Sequence, residues 1–234
     1  MSIIEATLEK AKQHLRTHER VPLHERVPLH ERAPLEERPR RRSVLESRPA
    51  AKFAIASLEP SVRICRNNRV LLPLLGAPRD ERVDSSYRML RTRLLHRLAQ
   101  RSWSVLGVTS PVPADGKTLT SINLALSIAR EASVTPILID LDLRNPSVCR
   151  TLGVEPPRTV LDYFEDGAGA DEIFFSIGVD NLVVAGNVRR SDHTSELLGT
   201  QRLSDLIDCA RSIAPNPVVL IDLPPVLSTD EALM

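Results

Sequence analysis

Three short stretches of this chain hold the residues that could do chemistry, and each follows an apolar run. After Val108 comes Thr109-Ser-Pro-Val-Pro-Ala-Asp-Gly-Lys-Thr118. Ile137-Leu-Ile139 leads into Asp140-Leu-Asp-Leu-Arg144, and Val218-Val-Leu-Ile221 into Asp222-Leu-Pro-Pro225. The first stretch is built for phosphate. Successive backbone amides from Ala114 to Thr118 can converge on phosphate oxygens at the positive end of a following helix. Gly116 lets backbone approach the ligand closely. Lys117 brings a mobile positive charge to the β and γ phosphates, and the Thr118 hydroxyl can complete a magnesium shell. The expected nucleotide contacts are Ala114, Asp115, Gly116, Lys117, Thr118 and Leu119. The usual loop has glycine five residues before Gly116, where this chain has Pro111.

The other two stretches supply carboxylates. Side chains two apart on an extended chain share a face, so Asp140 and Asp142 can point into one crevice. Two like charges at a strand end are costly unless a cation lies between them. Asp140 is assigned to magnesium and to polarising an attacking hydroxyl, with Asp142 in support. Arg144 is suited to a phosphate or to a partner's carboxylate. Asp222 can hold a magnesium-bound water. The catalytic set is therefore Lys117, Asp140, Asp142 and Asp222, and the metal set Thr118, Asp140 and Asp222. Together they describe a nucleotide-dependent phosphotransferase using magnesium. The bland alternative is a doubly wound domain whose site has decayed.

Elements must carry these groups to one place. Strands are expected at 104–108, 136–141, 182–185 and 217–221, and helices at 117–130 and 195–211. Short apolar strands flanked by helices predict an α/β fold: three layers around a mostly parallel sheet covered on both faces. Ligands bind beyond the carboxyl ends of such strands, where all three stretches lie. A further helix starts at Asp84, with Tyr87, Leu90, Leu94 and Leu98 as its apolar stripe and Arg88, Arg91, Arg93, Arg97 and Arg101 around it. That helix serves either plain packing or a subunit interface.

Upstream, residues 1–16 form an amphipathic helical pattern. The hexapeptide Val21-Pro-Leu-His-Glu-Arg26 is repeated as Val27-Pro-Leu-His-Glu-Arg32 and, decayed, as Ala33-Pro-Leu-Glu-Glu-Arg38. A proline every sixth residue stops both helix and central strand, so 17–50 reads as a disordered tether. Residues 51–83 form a connecting region of unassigned role, and 84–234 the nucleotide-binding domain. The basic cluster Arg38, Arg40, Arg41 and Arg42 suits either an acidic membrane surface or plain solvation.

Composition narrows the function classes. The net charge of +1 and the 3% aromatic content argue against nucleic acid as a partner. Cys65, Cys149 and Cys209 are odd in number and lack metal-ligand spacing, which points to free thiols in the cytoplasm. No apolar run reaches the length of a membrane span.

Val108-Thr-Ser-Pro-Val-Pro-Ala-Asp-Gly-Lys-Thr118, Ile139-Asp-Leu-Asp-Leu-Arg-Asn-Pro146 and Ile221-Asp-Leu-Pro-Pro-Val226 resemble the bacterial tyrosine autokinases of capsule and exopolysaccharide synthesis. These belong to the deviant P-loop group that includes cell-division and plasmid-partition ATPases. The N-terminal Met1-Ser-Ile-Ile-Glu-Ala6 resembles the variety found in exopolysaccharide loci linked to a membrane-bound sorting system. The resemblance implies phosphoryl transfer from ATP, with magnesium, to tyrosines of a neighbouring subunit. It implies a membrane-spanning chain-length regulator as partner, which would hold the chain at the inner face of the plasma membrane. Ser85-Ser-Tyr-Arg-Met-Leu-Arg91 resembles the family's subunit-contact helix, with Ser85 in place of its glutamate, so Arg88 and Arg91 are the expected homo-oligomer contacts. Ala114 stands where glycine is common, and Leu223 where a small polar residue is. The family continues past Asp222 with more strands and a tyrosine-rich tail. The domain over 84–234 is thus expected to lack its C-terminal part, as a fragment or a truncated product. The competing functions are an ATPase that switches its oligomeric state by hydrolysis and an inactive ATP-binding scaffold.

Overall fold

The computed structural model describes residues 56–57 and 81–227. The expected N-terminal helix, the hexapeptide tether, Cys65 and most of the connecting region lie outside the described residues. In chain order the elements are β1 (Ala56–Ser57), α1 (Glu81–Arg101), β2 (Val105–Val108), α2 (Lys117–Ala129), β3 (Thr135–Asp140) and α3 (Val148–Leu152). Then follow α4 (Val160–Glu165), β4 (Phe175–Ser176), β5 (Val183–Ala185), α5 (Thr194–Leu198), α6 (Gln201–Ser212) and β6 (Pro217–Asp222).

The strands form one sheet in the order β1-β4-β5-β3-β6-β2. All pairings are parallel except β4 with β5. The central strand β3 is apolar on both faces yet still sorts its side chains by the two-residue period. Ile137 and Ile139 join one core cluster with Leu161, Phe164 and Leu206, while Leu138 joins the other with Ile122, Ala125 and Ile128. Val219 and Ile221 of β6 follow Ile137 and Ile139, and Leu220 follows Leu138. The result is the expected three-layer α/β fold, with α1 and α2 covering one face and α4 and α6 the other.

The sequence-based boundaries shift in informative ways. The first helix begins at Glu81, three residues before the expected start at Asp84. Asp84 is not a helix-starting residue but a buried anchor, 2.6 Å from Arg130 at the end of α2. Leu90 falls off the packed stripe and is 38% exposed, whereas Tyr87, Leu94, Leu95 and Leu98 pack against the core. The single helix expected over 195–211 is two helices. Gly199 closes α5, and Thr200, in extended conformation, precedes α6. Two helices went unread. One of them, α4, carries a sequence-visible signal: Thr159 accepts from the Asp162 amide, and Asp162 accepts from the Thr159 amide, a capping box.

Candidate functional site

Parallel register sets the geometry. Asp140 on β3 pairs laterally with Asp222 on β6, and Asp222 pairs with Val108 on β2. The ends of three adjacent strands therefore bring the phosphate-type loop and two aspartates together. The loop bends through left-handed backbone at Ala114 (φ 67°) and Gly116 (φ 90°). Alanine pays a steric cost there that glycine does not, so the loop stores strain at Ala114. Beyond β6 the chain runs alongside the loop: Thr109 donates to the Pro224 carbonyl at 2.7 Å, and Val226 donates to the Ser110 carbonyl at 3.0 Å.

A cavity of about 410 Å³ opens at this point. Pro113, Ala114, Gly116, Lys117, Thr118 and Leu119 line it, together with Asp142, Asn145, Ser147, Arg150 and Pro225. Asp115 is the one residue of the expected nucleotide set that does not line it. Its carboxylate accepts from the Val112 amide at 3.4 Å and closes the loop on itself.

The charged groups form one connected network. Lys117 Nζ sits 2.6 Å from Asp142 Oδ2 and 3.7 Å from Asp222 Oδ2. The Thr118 hydroxyl donates to Asp222 Oδ2 at 2.6 Å and accepts from the Ser147 hydroxyl at 2.8 Å. Ser121 donates to the other Asp222 oxygen at 3.2 Å. The expected pair of aspartates divides in two. Asp142 faces the cavity, while Asp140 is fully buried behind it. The strand ends at Asp140, so the two-residue alternation no longer governs Asp142. Asp140 Oδ2 accepts from the amides of Ser147 and Val148, and Oδ1 from that of Asp142.

Burial, and then the charge of Asp222, push the Asp140 carboxyl up to about 7, against the pull of the Val148 and Ser147 amides. Burial also holds Asp222 above the ordinary carboxylate range, opposed by Lys117 and by the Thr118 and Ser121 hydroxyls. Two buried, mutually repelling carboxylates beside a free-standing cavity are suited to a cation. Among the described residues no group of three or more His, Cys, Asp or Glu is gathered as a cage. Thr118, Asp140 and Asp222 are the side chains able to hold magnesium, Asp140 and Asp222 through water because their oxygens already accept hydrogen bonds.

Other expected residues lie elsewhere. Arg144 donates to Thr194 Oγ1 at 3.3 Å and does not line the cavity. Arg91 works inside the chain: it donates to the Ser127 carbonyl at 2.8 Å and pairs with Glu131 at 2.9 Å, tying α1 to the end of α2. Arg88 leans on Asp84 at 3.6 Å, with its side chain 55% exposed. Sequence reasoning missed Ser147, Ser121 and Arg150, none of which stands in a recognisable pattern. It also missed Asn187, which is buried and accepts from the Leu161 amide while donating to the Asp140 carbonyl. Cys149 and Cys209 are free thiols, both held above the ordinary thiol range by burial.

The chain is similar to curated bacterial tyrosine-protein kinases. Over 147 residues the chain is 31% identical to the tyrosine-protein kinase CpsD of Streptococcus pneumoniae, covering 62% of this chain and 63% of that one. Over 197 residues it is 32% identical to the tyrosine-protein kinase Wzc of Salmonella typhimurium, covering 81% of this chain and 26% of that one. It is a P-loop domain related to the bacterial tyrosine-protein kinases. It spans less than two thirds of the length of either relative. No family model matches the chain. Among solved structures, the kinase domain of the Escherichia coli tyrosine kinase ETK superposes with a TM-score of 0.60 at 23% identity, over 77% of this chain and 72% of that one. This likeness shows the fold. The VpsO kinase domain gives a TM-score of 0.55 at 25% identity, over 65% of this chain and 75% of that one. No helix among the described residues is long and apolar enough to cross a membrane.

Proposed function

We propose that this chain is an ATP-dependent protein-tyrosine kinase domain acting in capsule or exopolysaccharide production. The observation that carries the reading is the network joining Lys117, Thr118, Asp142 and Asp222 at a cavity of about 410 Å³. Lys117 pairs with Asp142 at 2.6 Å. An entering polyphosphate competes for the ammonium and draws it onto phosphate oxygens. Asp142 is thereby released at the cavity surface, where a tyrosine hydroxyl would arrive. The hydroxyl oxygen attacks the γ-phosphorus, the bond to the β–γ bridging oxygen breaks, and the hydroxyl proton passes to the Asp142 carboxylate. Thr118 and the carboxylates of Asp140 and Asp222 would hold magnesium, which would supply charge neutralisation at the phosphates. Asp140 is placed in this role rather than at the acceptor hydroxyl because it is buried and already hydrogen-bonded on both oxygens.

The proposed acceptor belongs to another molecule, since the two tyrosines of the sequence are Tyr87 and Tyr163. Tyr163 is buried and donates its hydroxyl to the Arg202 carbonyl, and Tyr87 packs into the core. A membrane-spanning polysaccharide chain-length regulator is the proposed activating partner, with residues 17–50 as the tether. Arg88 is the proposed contact between copies, and Arg91 supports that surface by fixing α1 on α2.

Full-length protein incubated with magnesium and γ-labelled ATP, with and without such a regulator's cytoplasmic segment, tests the reading. Label on tyrosine that Lys117→Met or Asp142→Asn abolishes is the expected result. Release of free phosphate with no labelled protein would instead establish an ATPase switch.

A further inference from the structure

Ser147 stands at the N-cap of α3, where a serine side chain ordinarily accepts from an amide of the first helical turn. It makes no such bond. Its hydroxyl turns instead to the phosphate-type loop and lies 2.8 Å from Thr118 Oγ1, while its own amide donates to Asp140 Oδ2 at 3.0 Å. One residue thus touches two of the three groups assigned to magnesium, and Thr118 links it to the third, Asp222. Ser147 also lines the cavity.

The protons settle the direction of these bonds. Thr118 gives its one hydroxyl proton to Asp222 Oδ2 at 2.6 Å, so in the bond to Ser147 it is the acceptor. Ser147 Oγ donates once, and among the described residues no group donates to it. Its lone pairs are uncommitted, in contrast to the oxygens of Asp140 and Asp222, which already accept hydrogen bonds. An oxygen with open lone pairs beside buried carboxylates is suited to a hard cation.

The spacing fits as well. Magnesium demands a near-octahedral shell with oxygens at about 2.0–2.1 Å, so two adjacent ligand atoms lie about 2.8–3.0 Å apart. The two hydroxyl oxygens are 2.8 Å apart. A cation can therefore take the place of the proton between them, which turns away by rotation of the Ser147 hydroxyl. The other neighbour of Thr118 Oγ1 is Lys117 Nζ at 3.4 Å, whose like charge opposes a cation on that side. We infer that Ser147 Oγ is a magnesium ligand that acts as a pair with Thr118 Oγ1. This inference rests on the nucleotide-binding reading above.

The test is calorimetric titration of the full chain with ADP, in magnesium and in a chelator, for wild type, Ser147→Ala and Ser147→Cys. Using ADP keeps phosphoryl transfer out of the measurement. Losing even a hydrogen-bonding partner of a metal ligand costs about 10–100-fold in metal affinity. Ser147→Ala is expected to weaken Mg-ADP about tenfold and metal-free ADP less than about twofold, since the amide that holds Asp140 is backbone and stays. Ser147→Cys is expected to bind Mg-ADP as weakly as Ser147→Ala does, and Cd-ADP at least as tightly as wild type does, because a soft sulfur disfavours magnesium and favours cadmium. Equal weakening with and without magnesium would make Ser147 purely structural and overturn the inference. An unchanged Mg-ADP affinity, or a Ser147→Cys protein that cadmium does not restore, overturns it too. Where Ser147→Ala does not fold, the exchange of magnesium for cadmium in Ser147→Cys decides alone. A wild-type protein that binds ADP no more tightly with magnesium than without overturns the underlying reading and this inference with it.

Discussion

Asn187→Ala is expected to cost this domain several kilocalories although Asn187 touches neither cavity nor loop. Its side chain is buried at 1% exposure and bridges two elements. Oδ1 accepts from the Leu161 amide at 2.8 Å, and Nδ2 donates to the Asp140 carbonyl at 3.1 Å. Leu161 and Asp140 are themselves fully buried, so water does not replace the lost partner. An unsatisfied buried donor or acceptor costs about 1–3 kcal/mol. Two of them give about 2–6 kcal/mol, and the space left by the amide adds to it. For a domain of this size, 3 kcal/mol lowers the melting midpoint by about 6–12 °C. Urea unfolding followed by circular dichroism measures the difference directly. Because Nδ2 holds the end of β3, the variant also loosens Asp140, and magnesium-dependent nucleotide affinity is expected to fall with stability. A loss below about 1 kcal/mol would refute the reasoning, since it would mean that both orphaned groups find new partners at no cost.

Two further outcomes follow from the same geometry. Gly186→Ala places a Cβ 2.5 Å from Cys149 Sγ, so it is expected to destabilise by about 1–3 kcal/mol, and Gly186→Ala/Cys149→Ala to recover most of that loss in a double-mutant cycle. In magnesium-free protein, Asp140 is raised in the fold from the ordinary 3.8 to about 7, so the folded state holds the proton more tightly than the unfolded chain. Its contribution to stability therefore falls as pH rises through that window. Asp140→Asn removes the slope, and its stability relative to wild type is expected to improve by up to about 3 kcal/mol between pH 5 and pH 7. Parallel stability curves for the two proteins would show that burial does not govern Asp140.

Much of the fold was legible in local pattern. The apolar runs ending at Asp140 and Asp222 are strands within a residue of their expected bounds, because burial on both faces leaves a continuous apolar signature, and the partly buried run ending at Val108 is a strand as well. The helix after Gly116 was equally plain. The short helices α3 and α4 were not, since five or six residues cannot display a helical period. The basic helix α1 misled at Leu90 and Arg91, where the pattern of residue types gave no sign of which face the end of α2 would cover.

Residue type and spacing alone decided that this chain carries phosphate-type chemistry. A Gly-Lys-Thr turn and strand-end aspartates have few other uses, and their order in the chain requires parallel strands. Only the tertiary structure decided how those groups divide the work. Asp140 and Asp142 are two residues apart and chemically identical, yet one is sealed among backbone amides and the other faces the cavity beside Lys117. Arg144 and Arg150 are likewise equivalent in sequence, but only Arg150 reaches the cavity. Such differences arise from where the chain turns after β3 and from what packs above it, and these are contacts between segments far apart in sequence.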